Sequence, residues 1–380
     1  MNVGVICYAS VGGSGVVATE LAKSLAQRGH QVHLVSTEPP FRLGDYQAGL
    51  AFHRVHTPTY PLFREPQYLL SLANKLVQLA REFSLDIVHA HYAIPHATAA
   101  YLARQILAST ADVRVPKVIT TLHGTDITLL GSDPSYSETV AFSIDQSDGV
   151  TAVSESLKAD TYRALPVKRD IHVIPNFLDC ELHKRRLLPE LRARLCPPDR
   201  YDKLIIHMSN FRPVKRIEAI VEIFRRVRGR VPAKLVLVGE GPELDKAHRL
   251  VLEMGLGRDV EMLGEQDQVV PILSVSDLFL LPSGQESFGL AALEALACEV
   301  PVVASRVGGL VEVIEDGVCG FLQPPEDLPA MAESAITLLT DPDLHHQFAE
   351  AGVQRVRQRY CADLVVPLYL AYYKEVIGTD

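Results

Sequence analysis

Two carboxylates frame the segment Glu286-Ser-Phe-Gly-Leu-Ala-Ala-Leu-Glu294: Glu286 stands ahead of an apolar helical run, and Glu294 sits inside it among Leu290, Ala291, Ala292, Leu293, Ala295, Leu296 and Ala297. Glutamate is almost never fully buried unless something pairs with it. Leaving it without a hydrogen-bond partner costs on the order of 2 kcal/mol or more. The position therefore points to a polar ligand, and a pair of sugar hydroxyls has suitable chemistry. Upstream, Ser209-Asn-Phe-Arg-Pro-Val-Lys-Arg216 leaves an expected strand and enters an expected helix, with Arg212 and Lys215 at its mouth. Two cations are misplaced at a helix N-terminus. A diphosphate lying between them repairs the imbalance through charge-assisted hydrogen bonds; taken alone, the segment also reads as a solvated basic turn.

The first half of the chain offers a different chemistry. Gly12-Gly-Ser-Gly-Val-Val-Ala18 follows a strand pattern and opens a helix, where backbone N–H groups and the helix dipole favour an anion. Read loosely, Gly13 to Ala18 also fits G-x-G-x-x-A, with Glu38 where a dinucleotide enzyme keeps its ribose acid. An anion or sugar-phosphate site, a nicotinamide site and a plain tight turn all stand open on this loop. His123-Gly-Thr-Asp126 places an imidazole and a carboxylate at the C-terminal end of another strand, the edge where open α/β sheets bind ligands. His89, His91 and His96 surround Tyr92; the first two share a strand face, but no third metal ligand is evident, so no metal is expected. Gly239-Glu-Gly-Pro242 reads only as a βα turn and Asp341-Pro-Asp343 as an N-cap.

These groups need elements to hold them. Apolar β-branched runs at 3–8, 31–36, 86–91 and 117–122 alternate with amphipathic stretches at 15–28, 67–83 and 96–107, which predicts a parallel sheet covered on both faces. The pattern restarts with strands at 204–209, 234–239, 260–263, 278–281 and 300–304 and helices at 213–228 and 243–254, so a second doubly wound domain follows the first. The charged segment 181–198 reads as a linker in which 185–195 could form a short helix, and 362–376 as an aromatic amphipathic helix that packs back on the N-terminal domain.

Bulk properties narrow the class. A chain of 380 residues, 47% hydrophobic and 22% charged, suffices for two cores. A formal net charge of −9 argues against nucleic acid or an anionic membrane as obligatory partner. No leader-like start or spanning run of about 18 apolar residues is found, so a soluble cytoplasmic protein is expected, and a homo-oligomer is compatible with it. The six cysteines lack C-x-x-C spacing; neither a disulfide framework nor a zinc site is indicated, and most are expected to be reduced.

Glu286 and Glu294 with seven residues between them, Arg212 with Lys215, and the two-domain layout resemble the retaining, nucleotide-sugar-dependent glycosyltransferases of the GT-B fold, of the glycosyltransferase 4 type. The resemblance runs over nearly the whole chain. More narrowly, Cys7-Tyr-Ala-Ser-Val-Gly-Gly-Ser-Gly-Val-Val17, His89-Ala-His-Tyr-Ala-Ile-Pro-His-Ala97, Leu122-His-Gly-Thr-Asp-Ile-Thr128 and Ser209-Asn-Phe-Arg212 are similar to the branch that joins N-acetylglucosamine to L-malate in bacillithiol biosynthesis. The resemblance implies an α/β protein of two Rossmann-like doubly wound domains facing a central cleft. An acceptor-binding domain would span 1–178, a nucleotide-sugar-binding domain 179–358, and a C-terminal helix at 359–380 would cross back.

It further implies transfer from UDP-N-acetylglucosamine to the hydroxyl of L-malate with no metal or other cofactor, the alternative being a different sugar or lipid acceptor on the same fold. Glu294 would hold the ribose hydroxyls, and Arg212 and Lys215 would neutralise the diphosphate. Glu286 with the backbone of Ser287, Phe288 and Gly289 would grip the sugar, and His123 would lie beside the reacting sugar, supporting its developing positive charge or fixing its 6-hydroxyl. Gly13, Ser14, Tyr92, Thr121 and Asn210 would receive the malate carboxylates, with Gly13 also on the nucleotide-sugar side. Retention admits double displacement through a carboxylate or, as the family implies, front-face attack with a phosphate oxygen taking the acceptor proton.

Overall fold

Short runs rich in Val, Ile and Leu, apolar on both faces, become strands that need cover from both sides. The computed structural model describes residues 1–9, 12–58, 67–111 and 113–378; Ser10 and Val11 of the glycine-rich motif lie outside them. The chain divides into two units, Met1–Asn176 with Ala362–Asp380, and Phe177–Cys361.

In the first unit, β1 (Asn2–Ile6), β2 (Gln31–Ser36), β3 (Leu50–Arg54), β4 (Ile87–His91), β5 (Lys117–Leu122), β6 (Gly149–Ala152) and β7 (His172–Val173) form one sheet. Their order is β3-β2-β1-β4-β5-β6-β7, every pairing parallel. The helices Tyr68–Phe83 and Thr98–Ala108 bury Leu72, Leu76, Ala99 and Ala103 against β4 and its neighbours. The last helix, Ala362–Ile377, belongs to this unit. Its Tyr372 hydroxyl accepts from the N–H of Val150 at 2.9 Å, and a Cβ on Gly149 would stand 2.8 Å from the same oxygen, so that glycine gives the helix its seat on β6.

The second unit repeats the plan with β8 (Lys203–Met208), β9 (Ala233–Val238), β10 (Val260–Met262), β11 (Leu278–Leu281), β12 (Val302–Ser305) and β13 (Gly320–Gln323), ordered β10-β9-β8-β11-β12-β13. The helices Ile217–Arg228 and Leu328–Thr340 cover one face with Ile220, Ile223, Phe224, Ala335 and Leu338. In both sheets the order reverses beside the first strand, between β1 and β4 and between β8 and β11. Loops diverge at such a switch point and leave a crevice at the carboxyl ends of the strands.

The cysteine expectation needs one correction. Cys180 and Cys361 are bonded, with Cα atoms 5.5 Å apart, while Cys7, Cys196, Cys298 and Cys319 are free and buried. A separation of 181 residues leaves no spacing signature, so the pair could not be read from the sequence. Among the described residues, no helix is long and apolar enough to cross a membrane.

Candidate active site

At the switch point of the second unit, β8 ends in a loop fixed from below. His207 is buried and donates Nδ1–H to the carbonyl of Leu280 at 2.8 Å, leaving Nε2 to pair with the Ser209 hydroxyl at 2.8 Å. Ser209 Oγ in turn accepts from the N–H of Phe211 at 3.3 Å. Phe211 is wholly buried at φ 35°, which anchors the loop and leaves Arg212 exposed beside it. The sequence expected one helix over 213–228. Instead Pro213–Lys215 is a 3-10 turn, Arg216 takes a left-handed conformation, and the α-helix begins at Ile217.

That break delivers Lys215 to Glu286: its ammonium pairs with Glu286 Oε1, to which Ser283 Oγ also donates at 3.3 Å. The N–H of Gly284 reaches the carbonyl of Val214 at 2.8 Å and ties the β8 and β11 loops together. Asn210 lies in the same loop, and its Oδ1 is buried with no hydrogen-bond partner among the described residues.

The 286–294 segment has the layout the sequence suggested, one carboxylate ahead of an apolar helix and one buried in it, with three additions. Gly289 caps the helix Leu290–Ala297 at φ 95°, where a Cβ would meet Leu310 Cδ2 at 2.4 Å. Phe288 turns inward, edge-on to Tyr360 with ring centroids 5.7 Å apart, so only its backbone is offered to a ligand. Glu294 is 5% exposed, and its Oε1 has a partner that the sequence did not suggest, His183 Nε2 at 3.5 Å. The first addition concerns the backbone, the second an inward aromatic ring and the third a linker residue; periodicity marks neither the first nor the third.

In the first unit, the helix Gly13–Gln27 starts at Gly12 with no side-chain cap and no acidic residue in its first turn. A helix start of this kind keeps its positive end available to an anion. Gly13 is exposed there, and the Ser14 hydroxyl accepts from the Tyr92 hydroxyl at 2.8 Å. Tyr92 follows β4 at φ 94° and stands 5.3 Å from the His123 ring, centroid to centroid. The structure therefore brings Gly13, Ser14, Tyr92 and His123 to one end of β1, β4 and β5. Thr121 is different: it is fully buried, and its hydroxyl is shared between His89 Nε2 and Thr151 Oγ1, each at 2.7 Å.

The histidines form a stack rather than a chelate. His89 also meets the Tyr373 hydroxyl through Nδ1 at 2.6 Å, and His91 Nδ1 meets His123 Nε2 at 2.8 Å. His96 Nδ1 donates to the carbonyl of His91. Among the described residues, no three His, Cys, Asp or Glu side chains converge as metal ligands. Burial pushes His123 down to about 3, with a smaller contribution from His96, so its ring is neutral at pH 7. Asp126 caps the same turn, accepting from the N–H of Gly124 at 2.9 Å and of His123 at 3.2 Å. Burial raises it to about 6 despite those bonds.

Two family models match the chain: Glycosyltransferase Family 4 over residues 11–182 and Glycosyl transferases group 1 over residues 197–355. The chain is also 43% identical over 380 residues to the N-acetyl-alpha-D-glucosaminyl L-malate synthase of Bacillus anthracis, covering 100% of this chain and 98% of that protein. The chain belongs to this glycosyltransferase family. Its fold is GT-B: a sucrose-phosphate synthase from Thermosynechococcus elongatus superposes with a TM-score of 0.81 at 21% identity, covering 100% of this chain and 99% of that one. HepE from Anabaena in complex with UDP and glucose superposes with a TM-score of 0.79 at 20% identity, over 98% and 99% of the two chains.

The buried histidines make the glycosyltransferase acid-sensitive in its first unit. Burial holds His89 and His123 at about 3 and His96 at about 4, all below the usual 6.5. A depressed folded value gives stability that is present above pH 6.5 and lost as pH falls through the window down to about 3. Each such group forfeits about 2 kcal/mol between pH 7.5 and 5. Asp126, raised from 3.8 to about 6, acts oppositely and returns about 1.4 kcal/mol. From these four groups a net loss of about 4.5 kcal/mol is expected in urea denaturation at the two pH values, monitored in the first unit; equal midpoints would show that these rings titrate as they do in the unfolded chain.

Proposed function

We propose that this glycosyltransferase moves N-acetylglucosamine from UDP-N-acetylglucosamine to the hydroxyl of L-malate with retention of configuration, the first step of bacillithiol biosynthesis, in the cytoplasm. The observation that carries the reading is the full-length relation to the Bacillus anthracis malate synthase, which takes in the acceptor-side residues of the first unit as well as the second unit.

Departure of UDP builds positive charge on the sugar and negative charge on the diphosphate. Arg212 and Lys215, held at the β8 switch point, answer the second charge. Lys215 pairs with Glu286. On nucleotide-sugar binding it turns to the phosphates, and Glu286 is released to the sugar hydroxyls together with the backbone of 287–289. A neutral His123 presents a ring nitrogen to the sugar without repelling its developing charge. Malate would set its carboxylates against Gly13, Ser14 and Tyr92 at the uncapped helix start. Thr121 supports this group from beneath through His89.

Coupled UDP-release assays across acceptors, with NMR of the product, test the proposal. Malate-dependent release and an α-linked product are expected; release indifferent to malate would overturn the acceptor assignment. Tyr92→Phe removes the hydroxyl that meets Ser14 and is expected to raise KM for malate about tenfold, with KM for the nucleotide sugar unchanged.

A further inference from the structure

The turn at 179–183, which leads into the segment 181–198 that reads from sequence as a linker, carries a histidine to the buried carboxylate of the helix Leu290–Ala297. The His183 side chain is 9% exposed and the Glu294 side chain 6%, with Nε2 3.5 Å from Oε1. His183 Nδ1 lies 3.0 Å from the carbonyl of Asp179. A carbonyl only accepts, so Nδ1 carries a proton. Nε2 then faces a carboxyl oxygen of Glu294 across 3.5 Å, and with a proton on it the ring forms an ion pair with that carboxylate.

The backbone under this ring is fixed three ways. Asp179 Oδ1 accepts from the N–H of Glu181 at 2.9 Å and of Leu182 at 3.1 Å. The N–H of His183 returns to the carbonyl of Asp179 at 2.9 Å, and Cys180 is bonded to Cys361. A ring held at Nδ1 on so constrained a turn has little freedom, and the carboxyl group it meets inherits that order.

We propose that His183 is a positioning residue for nucleotide recognition: it orients the Glu294 carboxylate toward the ribose diol of a nucleoside diphosphate sugar and thereby sets the preference for ribo- over 2′-deoxyribonucleotides. The inference rests on the assignment of Glu294 to the ribose. A pair that served only to stabilise the fold would leave this preference untouched.

The test uses the full chain and two probes, UDP and 2′-deoxy-UDP, as competitive inhibitors of UDP-N-acetylglucosamine turnover. The unsubstituted enzyme is expected to favour UDP by roughly 10- to 100-fold, the range of a charged hydrogen bond. His183→Phe fills the space without a hydrogen-bond donor; it is expected to raise KM for the nucleotide sugar about tenfold, to change kcat less than about threefold, and to bring the inhibitor ratio near unity. His183→Gln returns an N–H and is expected to restore most of the ratio. Should His183→Phe fail to fold, His183→Ala and His183→Gln make the same comparison. An unchanged ratio in the variant lacking the donor overturns the inference. Glu294→Ala separates the two levels: loss of the ratio there but not at His183 defeats this inference alone, and retention of the ratio in Glu294→Ala defeats the ribose assignment itself.

Discussion

Lys215→Ala is expected to lower kcat about a hundredfold while leaving the stability of the second unit within about 1 kcal/mol. The asymmetry follows from what the ammonium does in each state. In this structure it lies against Glu286, a partly exposed pair in a loop, and such pairs contribute about 0–1 kcal/mol. In the transition state it faces a leaving group that gains charge, and loss of one such contact costs about 3 kcal/mol. Competition with UDP and uridine separates binding from chemistry, since affinity for uridine is expected to stay while affinity for UDP falls. Weakening of both would mean that the substitution had deformed the pocket. Lys215→Arg is expected to recover only part of the loss, because a planar fork replaces a compact charge at the end of a three-residue turn.

The features that place Lys215 differ in how visible they are in the sequence. β8 and β11 are apolar runs bounded by turn residues, and each lies within one residue of its expected position. β3 and β6 gave no signal: Leu50–Arg54 is only half-buried at the sheet edge, and Gly149–Ala152 is four residues long and starts at a glycine. The charged residues of the site stood out because they contradict their surroundings, a carboxylate in an apolar helix and two cations at a helix start. What stayed hidden acts through backbone or through distance. His183 lies more than a hundred residues from Glu294, Cys180 pairs across the whole second unit, and His207 is an ordinary member of a strand pattern until its two ring nitrogens are seen to set the next loop.

The glycines show the same division. Gly239 and Gly241 read only as a turn, yet a Cβ on either would stand 1.9 or 2.0 Å from the carbonyl of Ser209 or Asn210. They let the turn after β9 press against the loop that carries Arg212. Gly308 and Gly309 attracted no notice in the sequence, and they press in the same way against the loop that carries Glu286.

Gly308→Ala is therefore expected to be among the most damaging single methyls in the second unit. Gly308 has φ +50°, and a Cβ there would lie 1.9 Å from the carbonyl oxygen of Glu286 and 3.0 Å from its carbon. Both obstacles are backbone, so no side chain can rotate aside. Gly309 meets the carbonyl of Ser287 at 2.3 Å by the same construction, and its N–H donates to the Glu286 carbonyl at 2.9 Å. The turn after β12 is thus a mould for residues 286–288. An added methyl costs about 1–2 kcal/mol in left-handed backbone and about 1–3 kcal/mol in overpacking, and its relief moves Glu286. A displacement near 1 Å at a positioning group can cost about a hundredfold in rate. The expected result is a second unit destabilised by about 2–5 kcal/mol and, in the fraction that remains folded at low temperature, kcat/KM reduced at least about a hundredfold. Gly317→Ala supplies the control: at φ +74° it has the same backbone preference, but nothing lies within 4 Å of the new Cβ. That variant is expected to lose about 1–2 kcal/mol and no activity per folded molecule. If Gly308→Ala matches it in both urea denaturation and turnover, the turn after β12 does not hold Glu286, and the position of that carboxylate must be set by Lys215 and Ser283 alone.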